Sequence, residues 1–135
     1  MIDSISAVII TKDAAVTLTD TLNSLKSFQE VIILDNGSQD NTETIARQYK
    51  NVSFHIDTFD GFGLTKNKAV HLSKNDWVLS LDADESVSDE LLASIQQWKI
   101  DTPPNHYGLL YRENLFMGKA IYYGGWGNDK LVRLF

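Results

Sequence analysis

Short apolar runs rich in β-branched residues recur along the first part of the chain. The run at 5–11 has no polar face and the run at 30–35 also predicts a buried strand, which is typical of strands that are buried on both sides of a sheet. The predicted strands cover residues 5–11, 30–35, 51–56 and 76–82.

Between these runs, apolar residues recur every three or four positions, which predicts helices that pack against the sheet. In DNTE, Asp40 suits the N-cap and Glu43 the N3 position of a capping box, and Ser88 suits the N-cap of a later helix. The predicted helices are marked by Leu18, Leu22, Leu25 and Phe28; by Ile45, Ala46 and Tyr49; by the segment that begins near Thr65; and by Leu91, Leu92, Ile95 and Trp98.

Strands separated by helices imply βαβ units and therefore a mostly parallel sheet. DTPPN at 101–105 is the linker-like segment of the chain, and residues 106–114 and 119–126 predict strands of a more antiparallel part. The predicted fold class is α/β, with a mostly parallel sheet, flanking helices and a more antiparallel C-terminal part. We expect residues 1–105 to form one portion and residues 106–135 the start of another.

The composition narrows the function mainly by exclusion. A net charge of −6 over 135 residues argues against broad binding to nucleic acids, which needs a basic surface. The chain contains no cysteine, so disulfides and thiolate metal sites are excluded. No apolar run approaches the roughly 20 residues that cross a bilayer, and no signal peptide pattern begins the chain, so we expect a cytoplasmic protein.

Polar residues follow the predicted strands directly. In a parallel sheet ligands bind beyond the carboxyl ends of the strands, where this sequence places Asp35 and Asn36, then Asp82 and Asp84. In an extended chain positions 82 and 84 point the same way. Two such carboxylates suit a hard cation, Mg²⁺ or Mn²⁺, whose remaining ligands are phosphate oxygens.

Each of these residues also has an explanation without a ligand. Asp82 could cap a turn, with Asp84 and Glu85 solvated before the helix that Ser88 begins. Asp35 and Asn36 at a buried strand end could contact a base or a ribose hydroxyl, whereas the turn that follows them needs no ligand. Lys66 could meet a phosphate at the start of its helix, or it could be an ordinary solvated lysine.

Taken in order, these segments resemble the family 2 inverting glycosyltransferases, which have the GT-A (Rossmann-like) fold. The last segments are most similar to the subgroup that adds hexoses to the inner core of lipopolysaccharide or lipooligosaccharide. The matching segments are the first strand, VIILDNGSQDNT, GFGLTKNKAV, DWVLSLDADE and GGWGNDKLVRLF.

The resemblance implies a nucleotide site at the strand ends. Thr11 matches the residue that ends the first strand and lines the nucleotide pocket. Asp35 and Asn36 match the pair that holds the base, and Lys66 matches a basic position near the nucleotide.

The resemblance also implies a divalent metal, Mg²⁺ or Mn²⁺. Asp82 and Asp84 match the DxD element, in which Asp84 would bind the metal that bridges the diphosphate and Asp82 would hold the ribose or support the metal. The implied donor is a nucleoside-diphosphate sugar, expected to be a UDP-hexose. The implied acceptor is a glycan or lipid-linked glycan of the cell envelope, reached at the inner face of the membrane.

The sequence departs from the family pattern in two places, one in the nucleotide loop and one at the catalytic base. Members commonly have T-x-N-E after the first strand, whereas this chain has Ala14 in place of the acidic residue. The general base of the family follows the segment that matches LVRLF, so we expect it beyond Phe135. Neither Glu113 nor Asp129 matches the base position. The chain alone is therefore expected to bind a donor better than it transfers the sugar.

Three alternatives remain. DADES is similar to the nucleophile loop of haloacid dehalogenase phosphatases, but there the motif follows the first strand of the core. A sugar nucleotidyltransferase would have a glycine-rich loop with Arg and Lys after the first strand, where this chain has TKDAAVTL. The third alternative is a non-catalytic module that binds a nucleotide or serves in assembly.

Overall fold

A computed structural model describes residues 1–97, 107–116, 119–121 and 129–135. The strands are β1 (Ile2–Thr11), β2 (Phe28–Asp35), β3 (Val52–Ile56), β4 (Trp77–Asp82), β5 (Gly108–Arg112), β6 (Asn114–Phe116), β7 (Lys119–Ile121) and β8 (Asp129–Leu134). The helices are α1 (Leu18–Ser24), α2 (Thr42–Ala46), α3 (Phe62–His71) and α4 (Asp89–Gln96).

Six strands form one sheet in the order β3-β2-β1-β4-β8-β5. β1 to β4 are parallel to one another, and β8 lies antiparallel between β4 and β5. β6 and β7 form a separate antiparallel pair. The predicted α/β class, mostly parallel with antiparallel C-terminal strands, is confirmed. The boundary predicted near residue 105 stays a prediction, and β5 and β8 belong to the same sheet as β1 to β4.

Both faces of the central strands are buried, because successive side chains point to opposite faces and each face carries helices. On one face Ile9, Ile33 and Leu79 pack in the cluster that also contains residues of α1, α2 and α4. On the other face Val8 and Ile32 pack in a smaller cluster with Ala69 of α3. Burial on both faces explains why β1 and β2 have no polar side in sequence.

Local differences from the predicted elements have simple causes. Phe28 continues the helical spacing of α1, but it is the first residue of β2 and is fully buried there. The capping box at α2 is incomplete: Asn41 is the N-cap, Asp40 accepts from the Thr42 N–H at 2.9 Å, and Glu43 binds Arg47 instead. Ser88 does cap α4, accepting from the Leu91 N–H at 3.1 Å. The predicted position of Trp98 lies outside the described residues.

The sheet order places a topological switch point at the carboxyl ends of β1 and β4. The chain passes from β1 to β2 on one side and later returns to pair β4 on the other side of β1. Loops that leave neighbouring strands in opposite directions open a crevice at such a point, and ligands bind in that crevice. We call the loops after β1, β2, β3 and β4 the carboxyl edge. Among the described residues, no helix is long and apolar enough to cross a membrane.

Candidate functional site

Asp35 organises the loop that follows β2. Its carboxylate is buried, with 2% of the residue exposed, and accepts four hydrogen bonds. Thr11 and Ser38 hydroxyls both donate to Oδ1 at 2.6 Å, and the N–H groups of Gly37 and Ser38 donate to Oδ2 at 3.0 and 2.7 Å. Gly37 has φ of 85°, which suits glycine. Thr11 and Asp35 thus contact each other at the carboxyl ends of β1 and β2, and together they fix the loop after β2.

The loop after β1 is fastened to the loop after β2. The Lys12 ammonium donates to the Gly37 carbonyl at 2.7 Å, and the Asp13 N–H donates to the Ser38 hydroxyl at 2.7 Å. In return, Asp13 accepts from the Gln39 N–H at 2.7 Å. The Ala14 N–H donates to the Thr42 hydroxyl at 2.8 Å. The loop that lacks the family's acidic residue at position 14 is thus held by its neighbour.

Asn36 connects the loops after β2 and β3. Its backbone N–H donates to the Thr11 carbonyl at 2.9 Å, and its side-chain amide donates to the Asp57 carbonyl at 3.2 Å. The residue is half-buried and lies at the carboxyl edge. The structure therefore brings Thr11, Asp35 and Asn36 together.

Charged side chains hold the loop that leads into α3. Lys68 of α3 contacts Asp57 at 3.4 Å and forms a closer ion pair with Asp60. The pKa of Asp57 lies below its ordinary value, first because the Thr58 N–H donates to the carboxylate and second because Lys68 binds it. The pKa of Lys68 is raised, chiefly by Asp60. Lys68 thus holds Asp57 and Asp60, which lie just before the glycine-containing start of α3.

The chain turns immediately after β4. The Glu85 N–H donates to the Asp82 carbonyl at 3.1 Å, and the Asp82 N–H donates to Glu85 Oε1 at 2.8 Å. The Ala83 carbonyl accepts from the hydroxyls of Thr17 and Thr21, each at 2.9 Å, which ties the turn to α1. We call residues 82–85 the acidic turn. The extended exit expected for positions 82 and 84 is therefore wrong, because this hydrogen-bonded turn reverses the chain.

Among the described residues three cations lie within 4 Å of acids of the turn: Lys66, Arg133 and, at 3.8 Å from Glu85, Arg112. Lys66 Nζ lies 3.5 Å from Asp82 Oδ1, and the Arg133 guanidinium lies 3.6 Å from Asp82 Oδ2. Arg133 also contacts Glu85 Oε1 at 3.1 Å and donates to Glu85 Oε2 and to the Ser80 carbonyl, both at 3.3 Å. Opposite charges a few ångströms away reduce the repulsion among the three acidic residues. This balance is how a buried strand can end in three carboxylates.

Of the three acidic residues in the turn, Asp84 has the carboxylate that is open to an incoming ligand. It is exposed, and its carboxylate makes no hydrogen bond or ion pair with the part of the chain that the structure describes. Asp82 is about half exposed, at 48%. The described ranges contain no cluster of three or more His, Cys, Asp or Glu suited to a metal ion. Two carboxylates nevertheless suit Mg²⁺ or Mn²⁺, which commonly takes one or two carboxylates and completes its shell with phosphate oxygens and water.

Sequence patterns missed two parts of this site. Arg133 comes from β8, about fifty residues after the turn that it neutralises, and nothing local in LVRLF indicates that partner. The sequence does not indicate the role of Thr17 and Thr21 for a different reason. They look like ordinary polar residues just before α1 and within it. Lys66 and Asp82, both candidates from the sequence, lie 3.5 Å apart, and their roles toward a diphosphate stay a prediction.

The fold and the polar carboxyl edge define this chain as an α/β protein of the Rossmann-like GT-A type. The sequence profile of "Glycosyl transferase family 2" matches residues 6–114. The chain belongs to that family.

Curated relatives extend well beyond the matched region. The "TPR repeat-containing protein Synpcc7942_0270" of Synechococcus elongatus is 33% identical over 132 residues, which is 97% of this chain and 31% of the relative. An "uncharacterized glycosyltransferase" of Rickettsia felis is 39% identical over 95 residues, which is 70% of this chain and 33% of the relative. The chain therefore spans about a third of the length of these relatives.

A solved structure supports the fold. The mannosyltransferase PcManGT of Pyrobaculum calidifontis, in complex with GDP-Man and Mn²⁺, superposes with a TM-score of 0.64. The match covers 81% of this chain and 36% of that protein, at 18% sequence identity. At this level of identity the comparison shows a shared fold.

Proposed function

We propose that the chain is the donor-binding part of a metal-dependent inverting glycosyltransferase that moves a hexose from a nucleoside-diphosphate sugar to a glycan acceptor. The observation that carries the proposal is the position of Asp84. It is an exposed carboxylate on a hydrogen-bonded acidic turn at the switch point of the sheet, and the same turn contains Asp82, which Lys66 contacts. Membership of glycosyl transferase family 2 supplies the reaction class.

The base and ribose would bind across the loops after β1, β2 and β3. Asp35 is saturated by protein donors, so we assign it the task of holding Gly37 and Ser38 rather than direct contact with the base. Asn36 would then offer its amide to the base, because its side chain is half-buried and lies at the meeting point of two loops. Thr11 keeps Asp35 in place from the end of β1.

The diphosphate would lie between α3 and the acidic turn. Lys66 stands in α3, and its ammonium lies 3.5 Å from Asp82. A phosphate that enters between them offers Lys66 a second anionic partner, and Lys66 can follow it because its side chain is long and 37% exposed. Asp82 would hold the ribose or support the metal, as the resemblance implies.

A divalent cation, Mg²⁺ or Mn²⁺, would neutralise charge on the departing diphosphate when bound beside Asp84. The residues of this chain would then hold the donor so that the anomeric carbon faces the acceptor. In the displacement, the acceptor oxygen forms the new bond to that carbon while the bond to the diphosphate breaks, and a carboxylate base takes the acceptor proton. We assign that base to none of the described residues, because none matches the position expected for it beyond LVRLF.

The cellular setting follows from the resemblance alone. The similarity of the later segments to inner-core lipopolysaccharide transferases supports a role in lipopolysaccharide or cell-envelope synthesis. We propose a glycan or lipid-linked glycan acceptor, reached at the cytoplasmic face of the inner membrane. UDP-hexose is the proposed donor. GDP is the comparison nucleotide, because the structurally similar mannosyltransferase is in complex with GDP-Man.

Calorimetric titration of UDP and GDP, each with and without Mn²⁺, tests the proposal. We expect metal-dependent binding to the unsubstituted chain and a loss of at least roughly tenfold in affinity in Asp84→Asn, the effect of removing one charged ligand. Asp76→Asn is the matched control, because Asp76 is an exposed aspartate just before the amino end of β4. Equal binding by Asp84→Asn and Asp76→Asn, or no binding by the unsubstituted chain, would contradict the proposal.

The non-catalytic alternative makes the same prediction for binding and a different one for transfer. If the chain binds donor but releases no nucleoside diphosphate from it, the binding function stands and transfer needs residues outside this chain. Ala14, in place of the acidic residue common in the family, is the departure that favours this alternative.

A further inference from the structure

We propose that Arg133 is the positioning residue of the acidic turn, and that it acts through Glu85 to aim Asp82 and Asp84 at the donor diphosphate. The inference rests on the proposed function, because it concerns how that donor site is held. Arg133 belongs to β8, which lies antiparallel to β4 and is far from the turn in sequence.

The contacts of Arg133 differ from those of a surface charge. Its side chain is only 13% exposed, and the Glu85 side chain is 18% exposed. The guanidinium contacts both oxygens of Glu85, at 3.1 and 3.3 Å, and donates to the Ser80 carbonyl at 3.3 Å. A planar guanidinium that binds both oxygens of a carboxylate fixes its direction as well as its charge.

Glu85 transmits this constraint to the turn. With one oxygen, Oε1, it accepts the Asp82 N–H at 2.8 Å, while its own N–H donates to the Asp82 carbonyl at 3.1 Å. The turn is thus closed by two hydrogen bonds, one of which depends on the Glu85 carboxylate. Removing Arg133 would leave that carboxylate without its closest cation, since Arg112 lies at 3.8 Å and is more exposed.

The two cations near Asp82 have separable tasks. Lys66 is about a third exposed, and among the described residues its ammonium pairs with Asp82 alone, so it can follow an arriving phosphate. Arg133 is enclosed and shared between Asp82 and Glu85, so it stays in place. Arg133 therefore keeps the turn closed whether or not the donor is present.

A merely structural role is the main competing explanation, because β8 is also held to β4 by the backbone. The Val78 N–H donates to the Phe135 carbonyl at 2.7 Å, and the Phe135 N–H donates to the Val78 carbonyl at 3.0 Å. These two amides report whether β8 remains paired. The amides of Asp82 and Glu85 report whether the acidic turn remains closed.

The first arm of the test is amide hydrogen exchange in Arg133→Gln, without nucleotide. We expect faster exchange at Asp82 and Glu85, while the amides of Val78 and Phe135 keep their protection. Arg47→Gln is the matched control, because Arg47 is a 60% exposed arginine that pairs with Glu43 of α2. Unchanged exchange at the turn, or loss of protection at all four amides, would overturn the proposal.

The second arm is the ratio of UDP affinities with and without Mn²⁺. We expect Arg133→Gln to reduce the gain from Mn²⁺ by roughly tenfold, the value of one charged hydrogen bond, and to leave metal-free affinity nearly unchanged. Arg133→Lys keeps the charge without the planar fork, so it should recover only part of the gain. A general loss of folding would lower both affinities together.

The outcomes separate the two proposals. Metal-dependent binding by the unsubstituted chain, with an equal gain in Arg133→Gln, would overturn the role of Arg133 alone. No binding by the unsubstituted chain would overturn the proposed function, and with it the role of Arg133 toward the donor.

Discussion

Among single residues, Asp35 shows how far a sequence pattern extends and where it stops. A carboxylate at the end of a buried strand is predicted to lie at the carboxyl edge of the sheet, and Asp35 does lie there. The pattern does not indicate the hydrogen-bond partners of Asp35. Gly37 and Ser38 reach its carboxylate through a tight turn, and Thr11 belongs to another strand. Because its carboxylate is buried and accepts four hydrogen bonds from the protein, we propose that it supports the loop rather than contacting the base.

Asp35→Asn should destabilise the chain by about 2–4 kcal/mol. The amide nitrogen of the variant would face the N–H groups of Gly37 and Ser38 at a buried position, so these donors would lose their acceptor. Urea unfolding followed by circular dichroism measures this free energy. Asp3→Asn, at an exposed position near the start of β1, is the control and should stay within about 0.5 kcal/mol of the unsubstituted chain. Equal stabilities for the two variants would contradict the supporting role of Asp35.

At the scale of elements, α3 illustrates what local patterns miss. The sequence predicts that the helix begins near Thr65, but it begins at Phe62. Charged and polar side chains hold the turn before it, and the pattern of apolar residues does not indicate these contacts. Lys68 reaches back from α3 to Asp57 and Asp60, and the Asp60 N–H donates to the Thr65 hydroxyl at 3.2 Å. Such contacts depend on a loop that folds back on its helix, which spacing alone does not reveal.

Lys68→Met should raise the pKa of Asp57 part of the way to its ordinary value. The hydrogen bond from the Thr58 N–H, the larger cause of the lowered pKa, remains in this variant. Because the folded-state pKa is lowered, the ionised carboxylate stabilises the loop above its ordinary pKa, and that contribution disappears as the pH falls through the lowered value.

Carboxyl carbon chemical shifts followed by NMR during a pH titration measure the change at Asp57. Asp40 serves as the internal control, since its pKa is lowered chiefly by the Thr42 hydroxyl and should be the same in both chains. An unchanged pKa for Asp57 in Lys68→Met would show that Lys68 does not act on it.

For the whole molecule, the four parallel strands were predictable because β1, β2 and β4 are local apolar runs, β3 alternates apolar and polar residues, and the helices between them favour parallel pairing. β8 was not, since DKLVRL mixes charged and apolar residues and pairs with β4 across a long separation in sequence. Arg133 lies in that strand, so the charge balance of the acidic turn depends on a part of the fold that no local pattern predicts.

The central claim is that the carboxyl edge binds a nucleoside diphosphate with a divalent cation at the acidic turn. Paramagnetic broadening by Mn²⁺ of the amide NMR signals of the chain, in the presence of UDP, tests it most directly, with Mg²⁺ as the diamagnetic reference. The claim predicts the strongest broadening at Asp82, Asp84 and Glu85, and none at Lys26 and Gln29. Lys26 lies between α1 and β2, and Gln29 lies near the start of β2, so both are on the amino side of the sheet. Broadening centred away from residues 82–85, or none that depends on UDP, would contradict the claim.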